Sequence, residues 1–202
     1  MPLPPLFSAL FFLLLSWSVP FWQSAALSPS SSPLLAEKIS IPGVSNAGKV
    51  SDSLFRGAQP RISDLAELKK IGITIIVDLR AESRHLRDRE QQQAESLGIH
   101  FVSLPVGGFS NPTSAQLAEF FELLQSSPPQ KIFVHCEFGE DRTGVFIAAY
   151  RIAFDHWSAN QAVTEMIAFG FNRPWHSSME TFVRSLPDTL HSDPLLKSAL
   201  AN

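Results

Sequence analysis

The sequence predicts an α/β domain: a central, mostly parallel sheet with helices on both faces. Three observations carry this. Residues 73–77 (ITIIV) and 131–134 (KIFV) are short, continuous and apolar, the pattern of strands buried on both faces. Stretches opening on capping residues stand between them. Strands that alternate with helices imply parallel pairing, because parallel strands need crossovers.

The elements follow in order. Residues 54–56 form a short strand, ended by Gly57 and Pro60. Asp64 with Glu67 makes a capping box for a helix through Ile71, which Gly72 stops. The strand at 73–77 comes next. Residues 84–97 are charged and Gln-rich, a solvated helix ending at Gly98, and residues 99–106 are strand-like. Thr113 with Gln116 caps a helix whose apolar face is Leu117, Phe120, Phe121 and Leu124, ended by Pro128 and Pro129. After the strand at 131–134, a long apolar helix starts near Arg142 and reaches Phe154. Ser158 opens a further helix through Phe169, and Ser177 with Glu180 opens the last.

The first 36 residues carry no charged side chain. Residues 6–19 are apolar except for three serines, Pro20 breaks the run, and Ser24, Ala25 and Ala26 follow. This order is that of a secretory signal peptide over residues 1–26. The run is shorter than the ~20 apolar residues of a membrane span. Lys and Arg are absent from its start, so an uncleaved anchor continuing through Phe21 and Trp22 is the alternative, and a misassigned start codon a third. No cysteine near the cleavage site is present to carry a lipoprotein anchor. Residues 27–45 read as a Ser/Pro linker, 46–187 as the catalytic domain and 188–202 as a C-terminal tail. The expected location is periplasmic or extracellular, with membrane contact only if the first segment stays attached.

A net charge of −3 offers no basic field for nucleic acid. His85, His100, His156, His176 and His191 are scattered without ligand spacing, so no metal and no other cofactor is expected. A single cysteine excludes an intrachain disulfide and any zinc site of several thiolates. By default it is a small buried hydrophobe.

Its neighbours change that reading. Residues 135–144 run His-Cys-Glu-Phe-Gly-Glu-Asp-Arg-Thr-Gly, between a buried strand and a helix. Open α/β sheets bind ligands beyond the carboxyl ends of their strands. A loop of this length can turn its backbone N–H groups inward and, with the helix N-terminus, cradle three phosphate oxygens. Residues 137–142 (Glu137, Phe138, Gly139, Glu140, Asp141, Arg142) would form that cradle, with Gly139 allowing close backbone approach. Arg142 would clasp two oxygens with its planar fork. The same positive potential favours a thiolate at Cys136, the nucleophile. Thr143 would hydrogen-bond that thiolate, and His135 would orient the loop rather than act as a base.

The run His-Cys-x5-Arg-Thr-Gly resembles the signature of cysteine-based protein tyrosine and dual-specificity phosphatases. Residues 54–60 (LFRGAQP), 77–80 (VDLR) and 150–171 extend the resemblance, which is strongest to small periplasmic bacterial tyrosine phosphatases and covers about residues 46–187. It implies a phosphoprotein or phosphopeptide substrate, hydrolysis through a phosphocysteine intermediate, and no metal.

The mechanism also needs a carboxylic acid for the leaving oxygen. The family takes it from an Asp on the loop after the preceding strand, but residues 104–111 (LPVGGFSN) hold neither Asp nor Glu. Asp141, with Glu140 behind it, is the candidate, and related phosphatases with an Asp-Arg pair in this loop support it. The competing reading gives Asp141 a structural role, as helix cap or partner of Arg142. The chain would then be a weak or inactive phosphate-binding module. A sulfurtransferase of rhodanese type is disfavoured by the loop length. Arg56 and Arg80 could flank the site or serve as surface charges, with Arg80 pairing Glu82. Trp157, Trp175, Phe169 and Phe171 are expected in the core. Glycines 107 and 108 mark an active-site loop, not a nucleotide fingerprint.

Overall fold

The structure is a computed structural model describing Met1 and residues 34–201. The expected signal segment and the Ser-rich part of the linker lie outside the described residues. Among those described, no helix is long and apolar enough to cross a membrane.

Six strands lie side by side in the order β1 (Glu37–Lys38), β2 (Gly48–Lys49), β3 (Leu54–Ala58), β6 (Ile132–Cys136), β4 (Ile75–Arg80) and β5 (His100–Val106). The pairs β3–β6, β6–β4 and β4–β5 are parallel, and β1 and β2 extend one edge antiparallel. The side-chain period of two divides each central strand between two cores. Ile75, Val77 and Leu79 of β4 enter the larger core with Phe120, Phe146 and Met179. Ile76 enters the smaller one with Phe55, Phe133, Leu65 and Ala94. The larger core lies under α3 (Ser114–Leu124), α4 (Asp141–Ala153), α5 (Ala159–Ala168), α6 (Ser177–Ser192) and α7 (Pro194–Leu200). The smaller lies under α1 (Leu65–Lys70) and α2 (Arg84–Ser96). The predicted class, a mostly parallel sheet covered on both faces, is the one observed.

Local differences have physical causes. The predicted box at Thr113/Gln116 forms with its two reciprocal bonds, and Ser158, expected to open a helix, makes such a box with Gln161. Boxes at Asp64/Glu67 and Ser177/Glu180 do not form. The Asp64 carboxylate accepts from Arg61 Nε instead, and Glu180 is held by Arg173 and Arg184. An arginine beside a carboxylate is the stronger local partner. β4 starts at Ile75, not at residue 73, because Ile73 N–H bonds Leu68 O in the preceding turn. Gly57 does not end β3. It stays inside the strand, where a Cβ would meet Val44 Cγ1 at 2.7 Å. Ile41 and Val44, in the expected linker, are buried in the smaller core. The expected tail is helical: Asp193 caps α7 by accepting from Leu195 N–H at 2.8 Å, and Leu196 and Ala199 are buried. Phe169 and Phe171 are in the core as expected, whereas Trp175 is exposed.

Candidate active site

β6 delivers Cys136 to the carboxyl edge of the sheet, beside Ala58 of β3. α4 begins five residues later at Asp141, so residues 137–140 form the connecting loop. A cleft of about 370 Å³ opens there, lined by Glu82, Gly108, Phe109, Cys136, Glu137, Phe138, Asp141, Arg142 and His176. Cys136 is buried at its floor.

Backbone bonding sets the shape of the loop. Cys136 O accepts from His135 Nδ1 at 3.2 Å and Glu137 O from Gln59 N–H at 3.2 Å. Phe138 O accepts from Asn46 Nδ2 at 3.4 Å, and Glu140 O from Gly144 N–H at 2.9 Å. Gly139 O accepts from Asn46 Nδ2 at 3.1 Å and from Arg56 Nη2 at 2.7 Å. Across a trans peptide the C=O and the next N–H point in opposite directions. Carbonyls turned into the protein therefore turn the N–H groups of the same peptides away from it, the arrangement that binds anions. Gly139 adopts φ +71°, and a Cβ there would lie 2.4 Å from Gly57 C, so only glycine fits.

Arg142 is held from the opposite side. Its Nη1 donates to Glu82 Oε2 at 3.0 Å and to Val106 O at 3.2 Å, and its Nη2 lies 2.8 Å from Glu82 Oε1. A guanidinium has more donors than these contacts use, so N–H groups remain for an oxyanion. Burial pushes the Glu82 carboxyl up, but the hydrogen bond and charge of Arg142 together with backbone N–H groups outweigh it and hold the carboxyl below its ordinary range.

Arg56 and Arg80 are both buried rather than on the surface. Arg56 lies beneath the loop, stacked 4.0 Å from the Phe169 ring, and burial pushes its guanidinium down to about 10. It still carries its charge at neutral pH. Arg80 pairs with Asp78 at 2.8 Å and Glu90 at 2.7 Å, not with Glu82. His135 belongs to the same buried group, its Nε2 2.9 Å from Glu90 Oε1. Burial lowers the His135 imidazole, but the Glu90 and Asp78 charges outweigh it and raise it above its ordinary value.

The acid candidates separate. Asp141 lines the cleft, where its Oδ1 accepts from Asn172 N–H at 3.1 Å and its Oδ2 lies 3.3 Å from His176 Nε2. Glu140 turns away toward Gly170. Burial and the Asp141 charge raise its carboxyl above the ordinary range. Thr143 is buried, and among the described residues its hydroxyl has no hydrogen-bond partner, Cys136 Sγ included. The Phe138 and Phe109 side chains are exposed at the rim. Sequence reasoning missed Glu82, Asn46 and Glu90, and placed His176 among the scattered histidines. All four come from segments distant in sequence, without a local signature: Asn46 bonds the loop, Glu82 holds Arg142, Glu90 pairs with Arg80 and stands beside His135, and His176 stands beside Asp141. No cluster of His, Cys, Asp and Glu able to hold a metal occurs among the described residues.

Residues 41–185 match the family model described as DSP-PTPase phosphatase fused to NAD+ kinase. The chain belongs to this cysteine-based dual-specificity phosphatase family. Two members similar to it are the dual specificity protein phosphatases TpbA of two Pseudomonas aeruginosa strains. For strain UCBPP-PA14 the identity is 26% over 126 residues, covering 62% of this chain and 55% of the relative. For strain PAO1 it is 25% over 149 residues, covering 74% and 65%. The matches thus span less than two thirds of these relatives' own length. Among solved structures, the P. aeruginosa TpbA crystal structure superimposes with a TM-score of 0.65 at 24% identity, covering 85% of this chain and 99% of that one. A Cys-to-Ser form of TpbA in complex with pTyr gives 0.64 at 22% identity, covering 86% and 99%. The catalytic core of the PP-IP phosphatase SIW14 from S. cerevisiae gives 0.64 at 21% identity, covering 80% and 97%. These structures share the family's fold.

Proposed function

We propose that the chain is an exported protein tyrosine or dual-specificity phosphatase that hydrolyses phosphomonoesters through a phosphocysteine. One observation carries the reading: Cys136 sits at the floor of a cleft between an anion-binding loop and an arginine oriented by Glu82. The thiolate of Cys136 attacks phosphorus while Arg142 and the loop N–H groups hold the three non-bridging oxygens. The P–O bond to the leaving group breaks, and that oxygen takes the proton of Asp141. Water then gives a proton to Asp141, attacks phosphorus and breaks the P–S bond, releasing inorganic phosphate and the thiolate.

Family membership and the pTyr carried by the TpbA structure support a phosphotyrosine-type substrate. Charge points the same way. Glu82, Glu137 and Asp141 line the cleft with Arg142 as the facing cation, which disfavours further phosphates near the rim. The rim phenylalanines, 109 and 138, offer apolar surface to an aryl ester. A phosphotyrosine peptide should therefore be turned over with higher kcat/KM than an inositol polyphosphate, and the reverse order would overturn this preference.

The decisive experiment follows release of p-nitrophenol from p-nitrophenyl phosphate and of phenol from phenyl phosphate. Cys136→Ser should abolish turnover of both. Asp141→Asn should lose more on phenyl phosphate, whose leaving group needs the proton. Wild-type protein without Cys136-dependent turnover would favour the phosphate-binding module instead. N-terminal sequencing of protein from the cell envelope should find residues 1–26 removed.

A further inference from the structure

The loop that carries the acid in related phosphatases holds glycines here, and the substitute, Asp141, sits on the first turn of α4. A carboxylate there has rotamer freedom, and a general acid must keep within hydrogen-bond reach of the leaving oxygen. Two groups restrain it. Asn172 N–H holds Oδ1 at 3.1 Å, and His176 Nε2 stands 3.3 Å from Oδ2. Both come from the connection between α5 and α6, whose Gly170 also faces Glu140. His176 is itself gripped: its ring stacks on Phe109 with centroids 5.0 Å apart and leans on Phe171 at 6.4 Å. Phe109 belongs to the glycine-bearing segment across the cleft, and His176 and Asp141 are each less than a fifth exposed.

We propose that His176 is a positioning residue for the acid. Its Nε2–H fixes the outer oxygen of Asp141, and its ring ties that carboxylate to the segment bearing Phe109. The missing loop acid is thus replaced by a pair: a carboxylate from the phosphate loop and an imidazole from the α5–α6 connection. His176 does not deliver the proton itself. Its second nitrogen, Nδ1, is buried and has no hydrogen-bond partner among the described residues, so it does not open onto the cleft. This inference deepens the proposed reaction and rests on it.

The test compares three single variants and one double variant on p-nitrophenyl phosphate and phenyl phosphate. His176→Phe keeps an aromatic ring for Phe109 and removes the donor to Asp141. It should lower kcat on phenyl phosphate roughly tenfold more than on p-nitrophenyl phosphate, the signature of impaired leaving-group protonation. His176→Gln, which restores an N–H donor at similar reach, should recover most of that difference. In the Asp141→Asn background, His176→Phe should produce no further leaving-group discrimination, because there is no acid left to position.

An equal loss on both substrates, or discrimination that persists without Asp141, would overturn the positioning role. If Asp141→Asn discriminates between the leaving groups and His176→Phe does not, only the role of His176 falls. If Asp141→Asn itself shows no discrimination, the acid assignment falls and takes this role with it. Thermal melts of all variants show whether a loss of rate comes from unfolding.

Discussion

On the nucleophile side of the cleft, five successive carbonyls from Cys136 to Glu140 are bonded into the protein, and Arg142 is clamped by both oxygens of Glu82. On the acid side, Asp141 accepts from one backbone N–H and stands 3.3 Å from one imidazole, and the facing segment presents a Phe109 that is 68% exposed. The first side is built from strand ends and buried charges, where packing leaves little room for rearrangement. The second is built from a helix start, an interhelical connection and a glycine-bearing turn, where few contacts restrain motion. In the proposed reaction, phosphate binding would rest on the many-bonded side and proton transfer on the side with fewer bonds. Perturbations of the two sides should differ in kind. Damage to the loop should remove reaction with every substrate, and damage to the acid side should depend on the leaving group.

The largest effect is expected at Gly139. A Cβ would collide with backbone at 2.4 Å, and φ +71° is strained for any other residue. Gly139→Ala should lower stability by about 2–4 kcal/mol in urea denaturation. Activity on p-nitrophenyl phosphate should fall more than a hundredfold, since a shifted loop loses the in-line geometry.

Arg56→Met comes next and should separate activity from stability. Loss of the grip on Gly139 O should cost roughly tenfold in kcat/KM for p-nitrophenyl phosphate. The melting temperature should hold or rise, because a buried guanidinium with Nε and Nη1 unpartnered gives way to an apolar chain of similar volume. A large fall in melting temperature would instead make Arg56 a structural brace.

Glu82→Ala should cost somewhat less, about fivefold in kcat/KM, because Val106 O still holds one side of Arg142. Competition by inorganic phosphate should weaken in parallel.

The smallest effect is expected at Glu180, on the first turn of α6. Glu180 is held down to about 2 by Arg173 and Arg184. A carboxyl lowered on folding contributes stability that is present above its unfolded value, about 4.3, and lost as pH falls toward the folded value. The difference in melting temperature between wild type and Glu180→Gln should thus be present at neutral pH and shrink as the pH falls from about 4.3 toward 2.

What could be read from the sequence was what depends on neighbours in the chain. The run from His135 to Gly144 identified the strand, loop and helix around Cys136, since the spacing itself carries the geometry. The caps at Thr113 and Ser158 were equally legible, being closed over three residues each. The failures at Asp64 and Ser177 came from competition, as arginines nearby took the carboxylates. Arg56 and Arg80 were ambiguous because a charge in a short strand reads as surface until its buried partners are seen. Glu82 and His176 could not be found, since they meet Arg142 and Asp141 only through the crossovers of the sheet.

The inward anchoring of the loop carbonyls has one more consequence. Each of those bonds joins the loop to the protein's own backbone or side chains, so its shape is set by contacts to the fold. An oxyanion bound in the proposed cradle would meet a backbone already restrained by these contacts, which would limit the conformational entropy lost on binding. Small tetrahedral or trigonal-bipyramidal anions such as phosphate and vanadate should consequently seat in it as whole ligands, without the rest of a substrate to draw the loop closed.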